Sequence, residues 1–295
     1  MMTDYLFLLL AALLLAFDFA LSKLYQQHVG TTLSAGFLFN VFSGLFTALI
    51  FWAIGGFAFH FSLYSFIMAL ALSALGMTYT LFGFRILKAG SMALYSLFLM
   101  TGGMTVPYLW GLFFLNEPFS WLRTAGLALL FFAVALSNLP KKGDRVNGRL
   151  LLMCSAIFLL NGFVSVISKE HQIQTVYPSV SASEFVMLSG IFKALLAGCA
   201  LAVIRFKKNP LPLPKKSVFK IIVPIVAISA TVGGVSYLLQ LLGAEKLPAT
   251  VLYPFITGGS MLFSSIIGAI VFREKLSKNL ILSIGLCLIG TLLFL

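Results

Sequence analysis

The sequence Gly-Leu-Phe-Phe-Leu-Asn-Glu-Pro-Phe-Ser occupies residues 111–120, and Gly-Ala-Ile-Val-Phe-Arg-Glu-Lys-Leu-Ser occupies residues 268–277. Each stretch begins with a glycine at the end of an apolar run and continues to a glutamate and then a serine at matching positions. The second copy begins 157 residues after the first. In a chain of 295 residues, this spacing indicates an internal repeat of about half the sequence.

Further blocks recur in the same order. At an offset of 146 residues, Ser22-Lys23 and Ser43-Gly44 match Ser168-Lys169 and Ser189-Gly190, and Phe39 and Phe46 match Phe185 and Phe192. At an offset of 157 residues, the small-residue stripe of Gly103, Pro107 and Gly111 matches Ser260, Ser264 and Gly268. Two-residue matches are weak alone, but ordered blocks at two constant offsets predict two related halves.

The composition requires a lipid environment. Hydrophobic residues make up 60% of the chain and charged residues only 9%, whereas a soluble domain carries about 25% charged residues. Apolar runs of roughly the 20 residues needed to cross a bilayer are separated by short polar connections. We predict ten transmembrane helices at residues 3–22, 34–54, 64–84, 91–115, 122–139, 149–168, 183–204, 218–242, 248–272 and 279–295.

Because five is an odd number of crossings, the second half must enter the membrane from the side opposite to the first. The sequence therefore predicts an all-α membrane protein of two inverted five-helix repeats. The first repeat covers residues 1–140, a cytoplasmic linker covers 141–148, and the second repeat covers 149–295.

The net charge of +12 comes mainly from two basic segments, 141–149 and 205–220, which supply nine of the charges. Both lie between apolar runs, which is typical of cytoplasmic loops and argues against nucleic-acid binding. Sixteen of nineteen loop cations fall on one side, and the other side carries Arg123, Lys169 and Lys246. The positive-inside rule predicts a multi-pass protein of the inner membrane, with residues 141–148 and 205–217 cytoplasmic and both termini outside.

Two inverted five-helix repeats, each ending in an acid-bearing stretch, resemble the drug/metabolite transporter superfamily in its ten-helix EamA-type branch. The resemblance rests on residues 111–118 and 268–277 and covers nearly the whole chain. It implies alternating access around a central cavity lined by helices one, two, six and seven, with export of metabolites or drugs as the commonest activity. It does not identify the substrate. Asn116 departs from the family pattern, because relatives usually carry glycine there.

Two charged residues lie within predicted membrane helices, Asp18 in the first and Lys193 near the middle of the seventh. Such a charge at the bilayer centre costs roughly 2.5–3.5 kcal/mol on insertion scales, so these residues tend to mark a substrate or proton pathway. The structural alternatives are that Asp18 reaches cytoplasmic water, and that Lys193 pairs with Asp18 or Glu184 or extends its head group into solvent along a groove. Glu184 is interpreted as a cap of the seventh helix, where a carboxylate meets the helix dipole favourably.

Polar side chains inside the predicted helices complete the candidate substrate site. They are Tyr79, Tyr95, Asn161, Tyr237, Gln240, Tyr253 and Thr257. Each could instead make a hydrogen bond between helices. As a set they suit a small organic ligand with an apolar body.

Nothing in the sequence indicates an enzyme, a metal site or a cofactor. Glu117 and Glu274 are interpreted as interfacial anchors, and the serines that follow them, Ser120 and Ser277, are expected to cap the fifth and tenth helices. The three histidines and three cysteines show no metal-ligand spacing. Nucleotide-binding loops and hydrolase motifs do not occur in the sequence.

The leading hypothesis is a secondary transporter, with export as the expected direction, of a small amphipathic or zwitterionic metabolite such as an amino acid. Transport would be proton-coupled or driven by the substrate gradient. The expected partners are the small-molecule substrate and membrane lipid, and a homodimer is an open alternative. Two other classes stay open: a flippase component for a lipid-linked sugar, and a non-transporting membrane scaffold or sensor. The buried Lys193 argues against a pure scaffold, which has no need of its cost.

Overall fold

The computed structural model describes residues 2–88, 92–137, 148–206, 216–273 and 277–295. All regular structure in these residues is helical, and no strand occurs among them. The helices are α1 (Met2–Val29), α2 (Leu33–Ile54), α3 (Leu63–Lys88), α4 (Met92–Phe113), α5 (Trp121–Ser137), α6 (Gly148–Ile173), α7 (Ala182–Phe206), α8 (Lys216–Lys246), α9 (Ala249–Val271) and α10 (Lys278–Leu292). They match the ten predicted apolar stretches in number and order. Several extend further, because helical structure continues past the apolar core into the connections.

Eight of these helices, α1 to α4 and α6 to α9, are long and apolar enough to cross a membrane. The other two, α5 with 17 residues and α10 with 15, are apolar but shorter, and a full crossing takes about 20 residues. These two helices pack on each other: a Cβ added at Gly126 would lie 2.9 Å from the carbonyl oxygen of Gly290. The chain is therefore an all-helical, multi-pass membrane protein.

Hydroxyl side chains cap several helices from the residue that precedes the first helical one. Thr32 Oγ1 accepts a hydrogen bond from Ala35 N at 3.2 Å and begins α2. Ser277 Oγ accepts from Leu280 N at 3.2 Å, and Ser120 Oγ accepts from Arg123 N at 3.4 Å. Because such caps satisfy backbone N–H groups that have no partner within the helix, Ser120 and Ser277 are confirmed as the caps of α5 and α10.

Asn116 and Arg273, which are 157 residues apart, lie just beyond the ends of α4 and α9 and share one backbone conformation. Their φ angles are 53° and 52°, in the left-handed region. Glycine adopts this conformation without steric cost, and asparagine tolerates it better than most residues. The backbone thus gives the physical reason why glycine is the residue expected at position 116.

Both chain termini and the connections α2–α3, α4–α5, α6–α7 and α8–α9 meet at one end of the bundle. Tyr5 OH donates to the Phe294 carbonyl at 3.2 Å, and Ser62 Oγ donates to the Pro178 carbonyl at 2.5 Å. We call this the terminus end. We call the opposite end, where α5 finishes and α6 begins, the linker end. The predicted linker 141–148 lies outside the described residues except for Gly148.

Helices α2 and α7 cross in close contact at Gly44 and Gly190. A Cβ added at Gly44 would lie 2.6 Å from the Gly190 carbonyl oxygen, and one added at Gly190 would lie 2.9 Å from that of Gly44. Ala194 belongs to the same contact, because its nitrogen would lie 2.8 Å from the Gly44 Cβ. Gly198, at the next small-residue position of α7, has no such neighbour within 4 Å and faces open space.

Candidate functional site

A cavity of about 320 Å³ lies midway along the helices, between α1, α2 and α3 of the first half and α6, α7 and α8 of the second. Of the nine predicted site residues, four line it: Asp18, Tyr79, Lys193 and Tyr237. The volume is at the lower end of the roughly 300–1,000 Å³ found for small-molecule sites. The cavity is therefore large enough for a small metabolite.

Asp18 is held in the cavity wall by α8. Ser229 Oγ donates a short hydrogen bond to Asp18 Oδ1. Gly233 gives the carboxyl group its space, because a Cβ at this position would lie 3.0 Å from both Cγ and Oδ2 of Asp18. The Asp18 side chain thus has one oxygen fixed by Ser229, which leaves the other able to accept a ligand donor or a proton.

Lys193 lines the cavity and interacts electrostatically with Asp18. Its Nζ makes no hydrogen bond, and no ion pair within 4.0 Å, with any residue that the structure describes. Neither Asp18 nor Glu184 forms a direct ion pair with Lys193, and Glu184 is bonded to Ser181 and His60 instead. The half-buried Lys193 ammonium, with Asp18 as its opposite charge in the cavity, is therefore available to an anionic ligand group.

Glu184 caps α7, as the sequence predicted. Its Oε2 accepts hydrogen bonds from Ser181 N at 3.0 Å and Ser181 Oγ at 2.7 Å, while Ser181 Oγ accepts from Glu184 N at 3.3 Å. This reciprocal pair is a capping box. The other carboxylate oxygen accepts from His60 N at 2.9 Å and lies 2.8 Å from His60 Nδ1. Glu184 therefore ties the α2–α3 connection to α7 and takes no part in the cavity.

The cavity contains further hydroxyl and amide groups that the sequence analysis missed. They are Asn40, Ser43, Thr47, Ser73, Thr80 and Ser189. For three of them the sequence did contain a signal. Residues 40, 43 and 47 are spaced at i, i+3 and i+7, which places them on one face of α2. Ser43 Oγ is buried and has no hydrogen-bond partner among the described residues, so it is available to a ligand or a water molecule.

The other five predicted site residues do not line the cavity. Asn161 Nδ2 donates to the Leu99 carbonyl at 2.8 Å, and Tyr253 OH donates to the Ser165 carbonyl at 2.6 Å. Both bonds join neighbouring helices and correspond to the structural alternative considered for them. The remaining three lie elsewhere: Gln240 donates to Ser236 at 3.2 Å, Tyr95 packs against Gly83, and Thr257 lies within α9.

Hydrogen bonds close the bundle between the cavity and the terminus end. Tyr237 OH and Ser168 Oγ are 2.8 Å apart at the cavity wall. One residue further along α6, Lys169 Nζ donates to the carbonyls of Ala244 at 2.6 Å and Leu247 at 2.8 Å. Lys169 is only 5% exposed. The prediction that it is a loop cation was wrong, because α6 continues to Ile173 and buries it.

Glu117 also belongs to this closure. Its carboxylate oxygens accept from Ala249 N at 2.6 Å and Thr250 N at 2.9 Å, the first two residues of α9. A Cβ at Gly111 would lie 2.6 Å from Glu117 Oε2, so this glycine makes room for the acid. Glu117 is thus a cap of another helix and not a simple interfacial anchor. Glu274, its repeat counterpart, lies outside the described residues.

Among the described residues, no group of three or more His, Cys, Asp or Glu side chains could hold a metal ion. The polar groups of the cavity lining are one carboxylate, one ammonium, several hydroxyls and one amide.

No family model matches the sequence. No curated protein matches it either. Among solved structures, 21 chains match the fold. One of them, a crystal structure described only as that of a protein, has a TM-score of 0.75 over 99% of this chain and 97% of its own, at 14% sequence identity. This likeness concerns the fold alone.

Proposed function

We propose that this chain is a secondary transporter of a small amphipathic or zwitterionic metabolite such as an amino acid, working by alternating access. The observation that carries the proposal is the pairing of Lys193 and Asp18 in one cavity at mid-depth of the bundle. Two opposite charges in a neutral site suit a ligand with one charge of each sign. Charged residues at this depth are retained for substrate or proton pathways.

The cavity wall supports alternating access, because helices of both sequence halves contribute to it. If the halves are inverted repeats, they can exchange conformations with each other. This exchange converts a state open to one side of the membrane into a state open to the other side. The reciprocal contact of Gly44 and Gly190, which are 146 residues apart, supports such a two-fold relation. On this proposal the chain belongs to the EamA-type branch of the drug/metabolite transporters, and α5 and α10 complete ten membrane crossings.

We assign the roles in the site as follows. The ammonium of Lys193 binds the carboxylate of the substrate, and Asp18 binds its amino group or exchanges a proton with it. Tyr79 and Tyr237 bound the cavity from α3 and α8. Export is what the family resemblance implies, and the basic loops favour a cytoplasmic linker end in the inner membrane.

The test is uptake or counterflow of radiolabelled amino acids in proteoliposomes that contain the purified full-length chain. Lys193→Met should reduce transport at least tenfold while the protein still elutes as a folded species. The matched control is Lys278→Met, since Lys278 is exposed at the start of α10. If Lys193→Met transports as well as the unaltered protein, the residue is structural and the proposed site fails. Movement of a lipid-linked sugar, with no amino-acid transport, would favour a flippase instead.

A further inference from the structure

Residues that correspond in the two sequence halves face the cavity in pairs. The offset of 146 residues, which relates α1 and α2 to α6 and α7, connects lining residues of different chemistry. Three such pairs are Asp18 with Val164, Asn40 with Val186, and Lys193 with Thr47, and a fourth, Ser43 with Ser189, has the same residue in both halves. In each of the first three pairs one member is charged or carries an amide, and its counterpart is an aliphatic side chain or a simple hydroxyl.

The crossing of α2 and α7 separates the members of these pairs along the bundle. Helix α7 runs toward the linker end, so Lys193, three residues after Gly190, lies about 4.5 Å on the linker side of the crossing at 1.5 Å per residue. Helix α2 runs the opposite way, so Asn40, four residues before Gly44, lies about 6 Å on the same side. Asp18 lines the same cavity, with its carboxyl group beside Gly233 and bonded to Ser229.

The counterparts lie on the other side of the crossing. Val186, four residues before Gly190, is about 6 Å toward the terminus end, and Thr47, three residues after Gly44, is about 4.5 Å toward it. Leu72 of α3 and Val164 of α6 also line the cavity. Lys193 and Asn40 therefore fall in the linker half, whereas the terminus half carries the aliphatic Val186 beside the hydroxyls of Thr47 and Ser189.

We infer that the cavity has its cation on the linker side of the crossing and binds an aliphatic zwitterion in one orientation. The charged head of the ligand lies at Asp18, Asn40 and Lys193, and its side chain lies against Leu72, Val164 and Val186. This inference rests on the proposed function and adds to it the orientation and the residues that select the side chain.

Val186 is the residue best placed to set the length of that side chain. It is 1% exposed, and its carbonyl accepts a hydrogen bond from Ser189 Oγ at 2.7 Å, in the turn that leads to the crossing. A β-branched side chain in a helix keeps essentially one rotamer. The wall at Val186 is therefore fixed and cannot swing aside for a larger ligand.

The test is ligand-induced thermal stabilisation of the purified full-length protein, with L-alanine, L-leucine and L-phenylalanine as probes. Binding to the folded state raises the melting temperature in proportion to affinity and concentration. Val186→Phe should weaken the apparent affinity for leucine at least tenfold and change that for alanine less than twofold. Val186→Ala and Val164→Ala should enlarge the terminus half and strengthen phenylalanine binding relative to alanine. The control is Val203→Phe, because Val203 lies on the same helix and is 54% exposed.

If Val186→Phe does not fold, the two alanine variants test the same point from the opposite direction. Equal effects of all Val186 and Val164 variants on all three probes would overturn the orientation and leave the proposed substrate class intact. If no probe stabilises the unaltered protein, both the amino-acid substrate class and the orientation fail.

Discussion

A side chain at Gly44 or at Gly190 would collide with the backbone of the other helix, and the two glycines therefore let α2 and α7 touch backbone to backbone. This contact brings Ser43 and Ser189, the residues that precede the two glycines, into one cavity wall. Close approach of helices through small residues is a common way of packing in membranes. Here it sets both the packing of the two halves and the width of the site.

Gly190→Ala should therefore destabilise the protein. The added methyl group would meet Ala48 N and Gly44 O at 2.9 Å, and overpacking of this kind costs about 1–3 kcal/mol. Gly198→Ala on the same helix meets no atom within 4 Å and should be neutral or slightly stabilising, because alanine favours helix. Thermal unfolding in detergent compares the two variants. Equal melting temperatures would contradict the tight crossing.

Replacement of Arg273 by glycine should stabilise the protein by up to about 1 kcal/mol, because glycine adopts a left-handed φ without strain. Asn116→Gly should have a smaller effect, since asparagine already tolerates this conformation. The matched control is Arg123→Gly inside α5, which should destabilise by about 1 kcal/mol through lost helix propensity. The melting temperatures of the three variants test this order of stabilities. A loss of stability in Arg273→Gly would show that the backbone at Arg273 is not strained.

Lys169→Met should destabilise the fold strongly, because it leaves the buried carbonyls of Ala244 and Leu247 without their donor. Hydrogen bonds to charged groups contribute about 1.5–3 kcal/mol each. Lys246→Met is the control, since the Lys246 side chain is 65% exposed and lies 4.0 Å from Asp4. An exposed pair contributes about 0–1 kcal/mol. Similar unfolding temperatures for the two variants would show that the Lys169 bonds are weak.

Asp18→Asn should flatten the pH dependence of transport while leaving the protein folded. An asparagine oxygen still accepts the hydrogen bond of Ser229, but the side chain no longer binds a proton or carries a charge. Transport rates across a pH series in proteoliposomes, compared with those of Asp4→Asn, provide the measurement. An unchanged pH profile would remove Asp18 from the coupling mechanism.

The basic segments should be cytoplasmic. Lys141→Cys and Lys208→Cys, introduced into a Cys199→Ser background, should resist membrane-impermeant thiol reagents in intact cells. Val176→Cys, 80% exposed in the α6–α7 connection at the terminus end, should react. Labelling with the opposite pattern would reverse the orientation of the protein in the membrane.

The sequence predicted the helices well, because apolar runs of membrane length and hydroxyl caps such as Ser277 are local signals. It also singled out Asp18 and Lys193, which line the cavity, since a charge within an apolar run is visible without a structure. It misassigned Lys169, because the carbonyls that bind this ammonium are contributed by Ala244 and Leu247, far away in the chain. It also could not separate lining from packing residues: Tyr237 and Tyr253 look alike in sequence, and only their neighbours distinguish them.

The hydrogen bonds of Lys169 also limit how the bundle can move. Sliding α6 away from the last turn of α8 would strip a buried ammonium of two acceptors at once, at a cost of roughly 3–5 kcal/mol. A motion that keeps both acceptors is much cheaper. An opening of the terminus end that preserves both hydrogen bonds must move α6 and the α8–α9 connection together as one rigid unit. The hinge of that motion must then lie outside the Lys169 contact.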